Sequence, residues 1–275
     1  MCATCGCSDD ASVRVAEPGH PHEHAHPHEH AHPHEHGHAH EHSHGHSHAH
    51  SHAHDDATAR TVSLEVDVLA KNDLLAERNR AWLRENRITA VNLMSSPGSG
   101  KTTLLERTIR ELAGQRPIGV IEGDQETLLD AERITATGAP VVQINTGSGC
   151  HLDADMLDRG LRRLRPEQGS LLFIENVGNL VCPSLFDLGE QTRVVIMSIT
   201  EGQDKPLKYP HMFAHANLVL LNKIDLLPYL DFDIDAVREY TNQVNHGITV
   251  LPISATTGEG LEAWYDWLHH APVVS

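Results

Sequence analysis

The sequence predicts a doubly wound α/β domain built on a mostly parallel sheet, preceded by a disordered tail. Three observations carry this expectation. From about residue 90 onward, short runs rich in Val, Ile and Leu alternate with segments of helical periodicity, the pattern of a sheet covered on both faces. The first 57 residues hold nine acidic side chains, one basic one and no Leu, Ile, Phe, Trp or Tyr, too little apolar surface to offset chain entropy. The chain has 275 residues, whereas single cores usually close at roughly 100–200. We therefore expect a metal-binding tail over residues 1–57, an amphipathic helix over 58–89 and one core domain over 90–275.

The elements follow in order. Cys2 to Cys7 open the tail, and a histidine occupies every even position from His20 to His54. Prolines at 21, 27 and 33 oppose a helix there, and nothing apolar alternates with the histidines as a strand requires. Over Thr61 to Arg87, Leu64, Val68, Leu75 and Trp82 recur at helical spacings among charges, which predicts a helix packed on the core through that face. About seven strands come next: AVNLMSS, PIGVIEGD, VVQIN, LLFIENVG, RVVIMSIT, NLVLLNKID and TVLPISA. Between and after them lie the helical patterns KTTLLERTIRELAG, TLLDAERITATG, LDADMLDRGLRRL, one from about Asp233, and GLEAWYDWLHHA. Ligands in such sheets gather at the carboxyl ends of the strands. The motifs fall there.

Charge narrows the partners. Beyond the tail, 29 acidic and 20 basic groups leave net −9, which disfavours nucleic acid or an anionic membrane. No run of apolar residues is long enough to span a bilayer, and MCATCGCSDD lacks the basic and apolar regions of a signal peptide, so we expect a cytoplasmic protein. Thiols stay reduced in that compartment, and Cys2, Cys5, Cys7, Cys150 and Cys182 read as metal ligands before disulfides.

SSPGSGKTT lies between the first strand and the first helix of the core. Gly98, Ser99 and Gly100 let the backbone wrap phosphate, Lys101 reaches the β and γ phosphates, and the Thr102 hydroxyl, followed by Thr103, is placed for Mg²⁺. Ser95 stands where the G-x-x-x-x-G-K-[ST] pattern begins with glycine. NKID, from Asn222 to Asp225, and SAT, from Ser254 to Thr256, end successive aliphatic strands. A carboxylate at Asp225 accepts the N1 and N2 protons of guanine and would be left unpaired by adenine, which favours GTP over ATP. In this reading Asn222 braces the base loop, the Lys223 stem covers the ring, and the Ala255 N–H donates to O6. Asp124 and Glu175 end two further strands and serve Mg²⁺ and the attacking water, with ENVG in place of the usual D-x-x-G. No glutamine stands where fast GTPases orient water, which predicts slow, regulatory turnover.

Cys150 and His151 follow the third strand of the core, and Cys182 lies on the loop after ENVG. In a parallel sheet both loops face the nucleotide, so two thiolates and an imidazole can converge on one ion. At the amino end, Cys2, Cys5 and Cys7 offer three thiolates. With the α-amine of Cys2 they form an S₃N set suited to square-planar Ni²⁺, while Zn²⁺ accepts the thiolates with tetrahedral closure. Many weak imidazole sites on one flexible chain let the histidine tract hold several divalent ions without fixed geometry.

Taken together, CATCGC, the histidine tract, SSPGSGKTT, GDQET, SGCHLD, ENVGNLVCP, NKID and SATTGEG resemble the HypB hydrogenase maturation GTPases from end to end. The resemblance implies a GTP-dependent homodimer of the SIMIBI class that delivers nickel to the large subunit precursor of [NiFe]-hydrogenase, together with a HypA-type metallochaperone. It also implies a tight nickel site at Cys2, Cys5 and Cys7 and a nickel or zinc site at Cys150, His151 and Cys182 near the dimer interface. Two other readings are a urease accessory GTPase of the UreG type, which needs neither CATCGC nor the Cys182 loop, and a nickel store whose nucleotide domain is a scaffold.

Overall fold

The computed structural model describes residues 14–16, 54–124, 129–147 and 149–271, with side chains from residue 67 onward. One sheet organises them. A three-residue strand, β1 (Arg14–Ala16), lies at its edge, and seven longer strands follow: β2 (Thr89–Ser95), β3 (Ile118–Asp124), β4 (Val141–Asn145), β5 (Leu171–Glu175), β6 (Thr192–Ser198), β7 (Leu218–Asn222) and β8 (Thr249–Pro252). The spatial order is β1-β4-β3-β5-β2-β6-β7-β8. β2 to β8 are mutually parallel, as the sequence predicts, and β1 pairs antiparallel with β4. Every residue of β2, β5 and β7 is buried, which explains their nearly unbroken apolar runs.

Helices cover both faces. On one, α2 (Lys101–Leu112), α3 (Leu129–Thr135) and the last helix place Leu104, Leu105, Ile134 and Trp264 against Val91, Leu93, Phe173 and Leu220. On the other, the long α1 (His54–Glu85) and α4 (Ala154–Leu164) bury Leu83, Leu157 and Leu161 over Ala90, Ile121 and Ile174. The short helices α5 (Cys182–Leu185), α6 (Lys205–Lys208) and α7 (Pro210–Ala214) precede α8 (Ile234–Val244), and α9 (Leu261–His270) is the last helix. Asp153 and Asp233 accept backbone N–H groups as the N-caps of α4 and α8.

Helix α1 departs from expectation twice. It begins at His54 instead of Thr61. Its core face is also not the one that Val68 and Trp82 mark, while Leu75 is half-buried and the Leu64 side chain lies outside the described residues. Val68 is 55% exposed and Trp82 37%, while Asn72, Ala76, Asn79 and Leu83 are buried. The amides explain this choice. Asn72 donates to Asp187 O at 2.8 Å and accepts from Ala154 N–H at 2.9 Å, and Asn79 donates to Ala154 O and Leu188 O. Backbone groups that would otherwise be orphaned in the interior are satisfied by the helix. Ala76 is small enough for Gly189 to approach it backbone to backbone.

Candidate functional site

The loop Ser96–Gly100 joins the central strand β2 to α2. Gly100, the N-cap of α2, has φ +92°, and a Cβ there would lie 2.5 Å from Asn222 Nδ2, so the loop needs glycine on both counts. A cleft of about 600 Å³ opens over the loop, bordered by Glu122, Asp124, Glu175, Gly178 and Lys223. The positive end of α2 points into it, an arrangement suited to phosphate. A larger groove of about 740 Å³ between α1 and α4, lined by Trp82, Arg78, Arg162 and Arg165, shares no residue with this cleft.

Lys101 Nζ and Thr102 Oγ1 both reach Glu175 Oε1 at 2.7 Å. Glu175 is 1% exposed, and its second oxygen, Oε2, has no hydrogen-bond partner. Register pairs Glu122 on β3 with Glu175 on β5. Glu122 is buried as well, with an unpartnered Oε2. Burial and the neighbouring Glu175 push its carboxyl up to about 9, so it is protonated at neutral pH. The buried, unpartnered Glu175 Oε2 beside the Thr102 hydroxyl, with Asp124 on the same cleft, offers oxygen donors of the kind a hard divalent cation takes, and Mg²⁺ fits them.

The second cluster clasps the phosphate loop from behind. Asn222 donates from Nδ2 to Ser99 O at 2.8 Å, and its Oδ1 accepts the N–H groups of Lys223 and Ala255. The Ala255 N–H, expected at the base oxygen, donates to Asn222 Oδ1 in this structure. Lys223, in the left-handed region at φ +68°, donates from Nζ to Gly98 O at 2.5 Å. Ser254 Oγ donates to Asp225 Oδ1 at 2.6 Å and fixes that carboxylate. Thr103 Oγ1 accepts from Arg133 at the cleft's rim.

On the same end of the sheet the structure brings Cys150, His151 and Cys182 together, with their ligand atoms all within 4.8 Å of one another. A tetrahedral ion would set such atoms roughly 3.5–3.8 Å apart, so small rotations complete the set. The imidazole is buried and stacked on Phe186 at 3.9 Å between ring centres. Burial holds its pKa below the usual histidine value, which keeps a lone pair for metal at neutral pH. Asn176 of ENVG joins this cluster to the phosphate cleft. Its Oδ1 accepts from Leu152 N–H beside the triad and from Val177 N–H in the phosphate-side loop. Gly178 packs on Pro97 of the glycine-rich loop, where a Cβ would come within 3.2 Å.

Cys2, Cys5, Cys7 and the histidine tract up to residue 53 lie outside the described residues. Sequence reasoning passed over Glu122, Asn176 and the clasping role of Lys223. The signal for Glu122 was present, as a lone acid inside the aliphatic run GVIEGD. Asn176 and Lys223 gave none, since their partners lie far away in the chain.

A family profile described as CobW/HypB/UreG, nucleotide-binding domain, matches residues 89–252. The hydrogenase maturation factor HypB of Escherichia coli strain K12 is 56% identical over 209 residues, covering 76% of this chain and 72% of that one. Its counterpart in Azotobacter vinelandii is 58% identical over 210 residues, covering 76% and 69%. Among solved structures, HypB from Archaeoglobus fulgidus superposes with a TM-score of 0.69 at 42% identity, covering 74% of this chain and 98% of that one. HypB from Helicobacter pylori in complex with nickel superposes with a TM-score of 0.68 at 36% identity, covering 73% and 94%.

Proposed function

The chain belongs to the HypB hydrogenase maturation factors of the CobW/HypB/UreG family and hydrolyses GTP, and from that premise we propose that it is a nickel metallochaperone whose grip on metal depends on the nucleotide. The cargo is Ni²⁺, stored along the histidine tract and at Cys2, Cys5 and Cys7, and passed to the large subunit precursor of [NiFe]-hydrogenase with a HypA-type metallochaperone. The nickel complex of the Helicobacter pylori relative supports this choice of metal, and Zn²⁺ competes for the same thiolates. The working form is a cytoplasmic homodimer. Among the described residues no helix is long and apolar enough to cross a membrane.

In this reading the backbone of Pro97–Gly100, the α2 dipole and Lys101 hold the β and γ phosphates of GTP, with Ser99, Thr102 and Thr103 lining the cradle. Asp225 takes the guanine N–H groups, with Ser254 fixing its orientation. Thr102, Asp124 and Glu175 hold Mg²⁺, which neutralises charge on the phosphate oxygens when bound. Lys101 stabilises charge that develops on the leaving phosphate, and Gly178 keeps the ENVG loop against the phosphate loop. This is positioning and electrostatics, and among the described residues lining the cleft no glutamine stands to orient water, which fits slow turnover.

One observation carries the coupling. The Asn176 carboxamide holds Leu152, next to the thiolate and imidazole triad, and Val177, next to the phosphates. A shift of the ENVG loop with the γ-phosphate therefore changes the triad's geometry. If metal affinity differs between the GTP and GDP states, reciprocity requires metal to alter nucleotide affinity by the same factor, typically 5–150-fold. Ni²⁺ should change the relative affinity for a nonhydrolysable GTP analogue and GDP, and Cys182→Ala should remove that change. Equal nucleotide affinities with and without Ni²⁺ would make the triad a structural site and end this reading.

A further inference from the structure

The glycine-rich loop starts at Ser96, and its start is held from a strand that carries none of the nucleotide motifs. β2 lies between β5 and β6 in the sheet, so the turns beyond the carboxyl ends of those two strands flank the loop. From the β5 side, Gly178 packs on Pro97. From the β6 side, the short turn Ile199–Glu201 brings a carboxylate to the Ser96 hydroxyl. Ser96 is buried, and the Glu201 side chain is only 13% exposed. Ser96 Oγ donates to Glu201 Oε2, the Ser198 N–H donates to Oε1 at 3.1 Å, and Lys205 Nζ lies 3.4 Å from Oε2.

Three side chains thus grip the loop from neighbouring strands. Asn222 and Lys223, at the end of β7, hold Ser99 O and Gly98 O. A peptide unit is planar and trans, so a carbonyl pinned on one side turns the next N–H to the other. Glu201 holds the entry instead, through a charge-assisted hydrogen bond of the stronger kind. Pro97 follows at once with a fixed φ, so a shift of Ser96 is passed on towards Gly98 with one fewer torsion to absorb it.

We propose that Glu201 is a positioning residue for GTP hydrolysis that acts through Ser96. It fixes where the loop begins, and so presets the N–H groups of Gly98 to Gly100 for the β and γ phosphates. This rests on the reading of Ser96–Gly100 as the phosphate loop. A displacement of about 1 Å at the reacting group can cost ~100-fold in rate, whereas GDP keeps its base contacts and Lys101.

The test is phosphate release by the full chain at saturating GTP, with GDP affinity and melting temperature measured beside it. Ser96→Ala frees the loop while leaving the bonds of Glu201 to Ser198 and Lys205. It should lower kcat about tenfold or more and change GDP affinity less than about threefold. A Glu201 that only caps its own turn would leave kcat of this variant at the parent value. Glu201→Ala should be as slow, and Glu201→Gln, which still accepts from both Ser96 and Ser198, should restore most of the lost turnover. The double variant Ser96→Ala, Glu201→Ala should be no slower than the slower single one, to within about twofold, because the two groups act through one bond. Parent-like kcat in Ser96→Ala, or losses that multiply in the double variant, would overturn the proposal. If Glu201→Ala does not fold, Ser96→Ala and Glu201→Gln decide the matter. Lys101→Ala, assayed alongside, separates the two readings. Parent-like turnover there would remove the phosphate loop and its anchor together, while an inactive Lys101→Ala beside a parent-like Ser96→Ala would overturn the anchor alone.

Discussion

Glu122 shows how one side chain can serve the site at the expense of the fold. Its carboxyl is raised from an ordinary value of 4.5 to about 9, first by burial and then by Glu175. Between those two values the unfolded chain ionises the group while the folded one keeps the proton, so stability falls as pH rises across that window. Below about pH 4.5 this penalty of ionisation vanishes. The limiting slope is about 1.4 kcal/mol per pH unit. Glu122→Gln keeps the shape without the ionisation, so its melting temperature should exceed that of the parent by a margin that widens from pH 5 to pH 8. Parallel melting curves across that range would show that the group is not held neutral. Lys101 sits opposite, bonded to Glu175, and Lys101→Ala should abolish GTP turnover through loss of phosphate charge stabilisation. Unchanged turnover in a phosphate-release assay would remove the lysine from the site.

At the scale of the element, what the sequence revealed depended on the kind of partner. The seven parallel strands were legible because their Val, Ile and Leu runs are long and bounded by motifs. The helices α2, α4 and α9 were legible because their apolar stripes face the sheet directly. Helix α1 was legible as a helix but not as a surface. Its buried face includes Asn72 and Asn79, whose reason for burial is a set of backbone groups at 154, 187 and 188 that no local pattern marks. The two faces make a direct test. Leu83→Ala should cost about 2–5 kcal/mol, as for other fully buried leucines, whereas Trp82→Ala, one position away, should cost less than about 1 kcal/mol. Equal losses in urea titrations would mean that the leucine and tryptophan stripe is the core face after all. The site followed the same rule. Its glycine-rich loop, NKID and the triad were visible as motifs, while Asn176 and the grip of Lys223 on Gly98 exist only once distant strands lie side by side.

For the whole molecule, the sheet order places the glycine-rich loop, NKID and the Cys150–His151–Cys182 cluster along one carboxyl edge, so that a single layer aligns all three. The sequence predicted that layer but not its outermost member, since three residues of β1 are too few for any periodicity to show. That strand has a consequence for the edge it covers. Without it, the edge of β4 would present VVQIN, five residues with no charge and no proline, to solvent. A bare edge of this composition is a template for pairing with other chains. A protein beginning after Ala16 should therefore self-associate in sedimentation runs, while one that lacks only residues 20–53 should remain as dispersed as the parent. The short tail strand would then act as a guard against aggregation, and cleavage just after Ala16 would harm the cell through lost solubility.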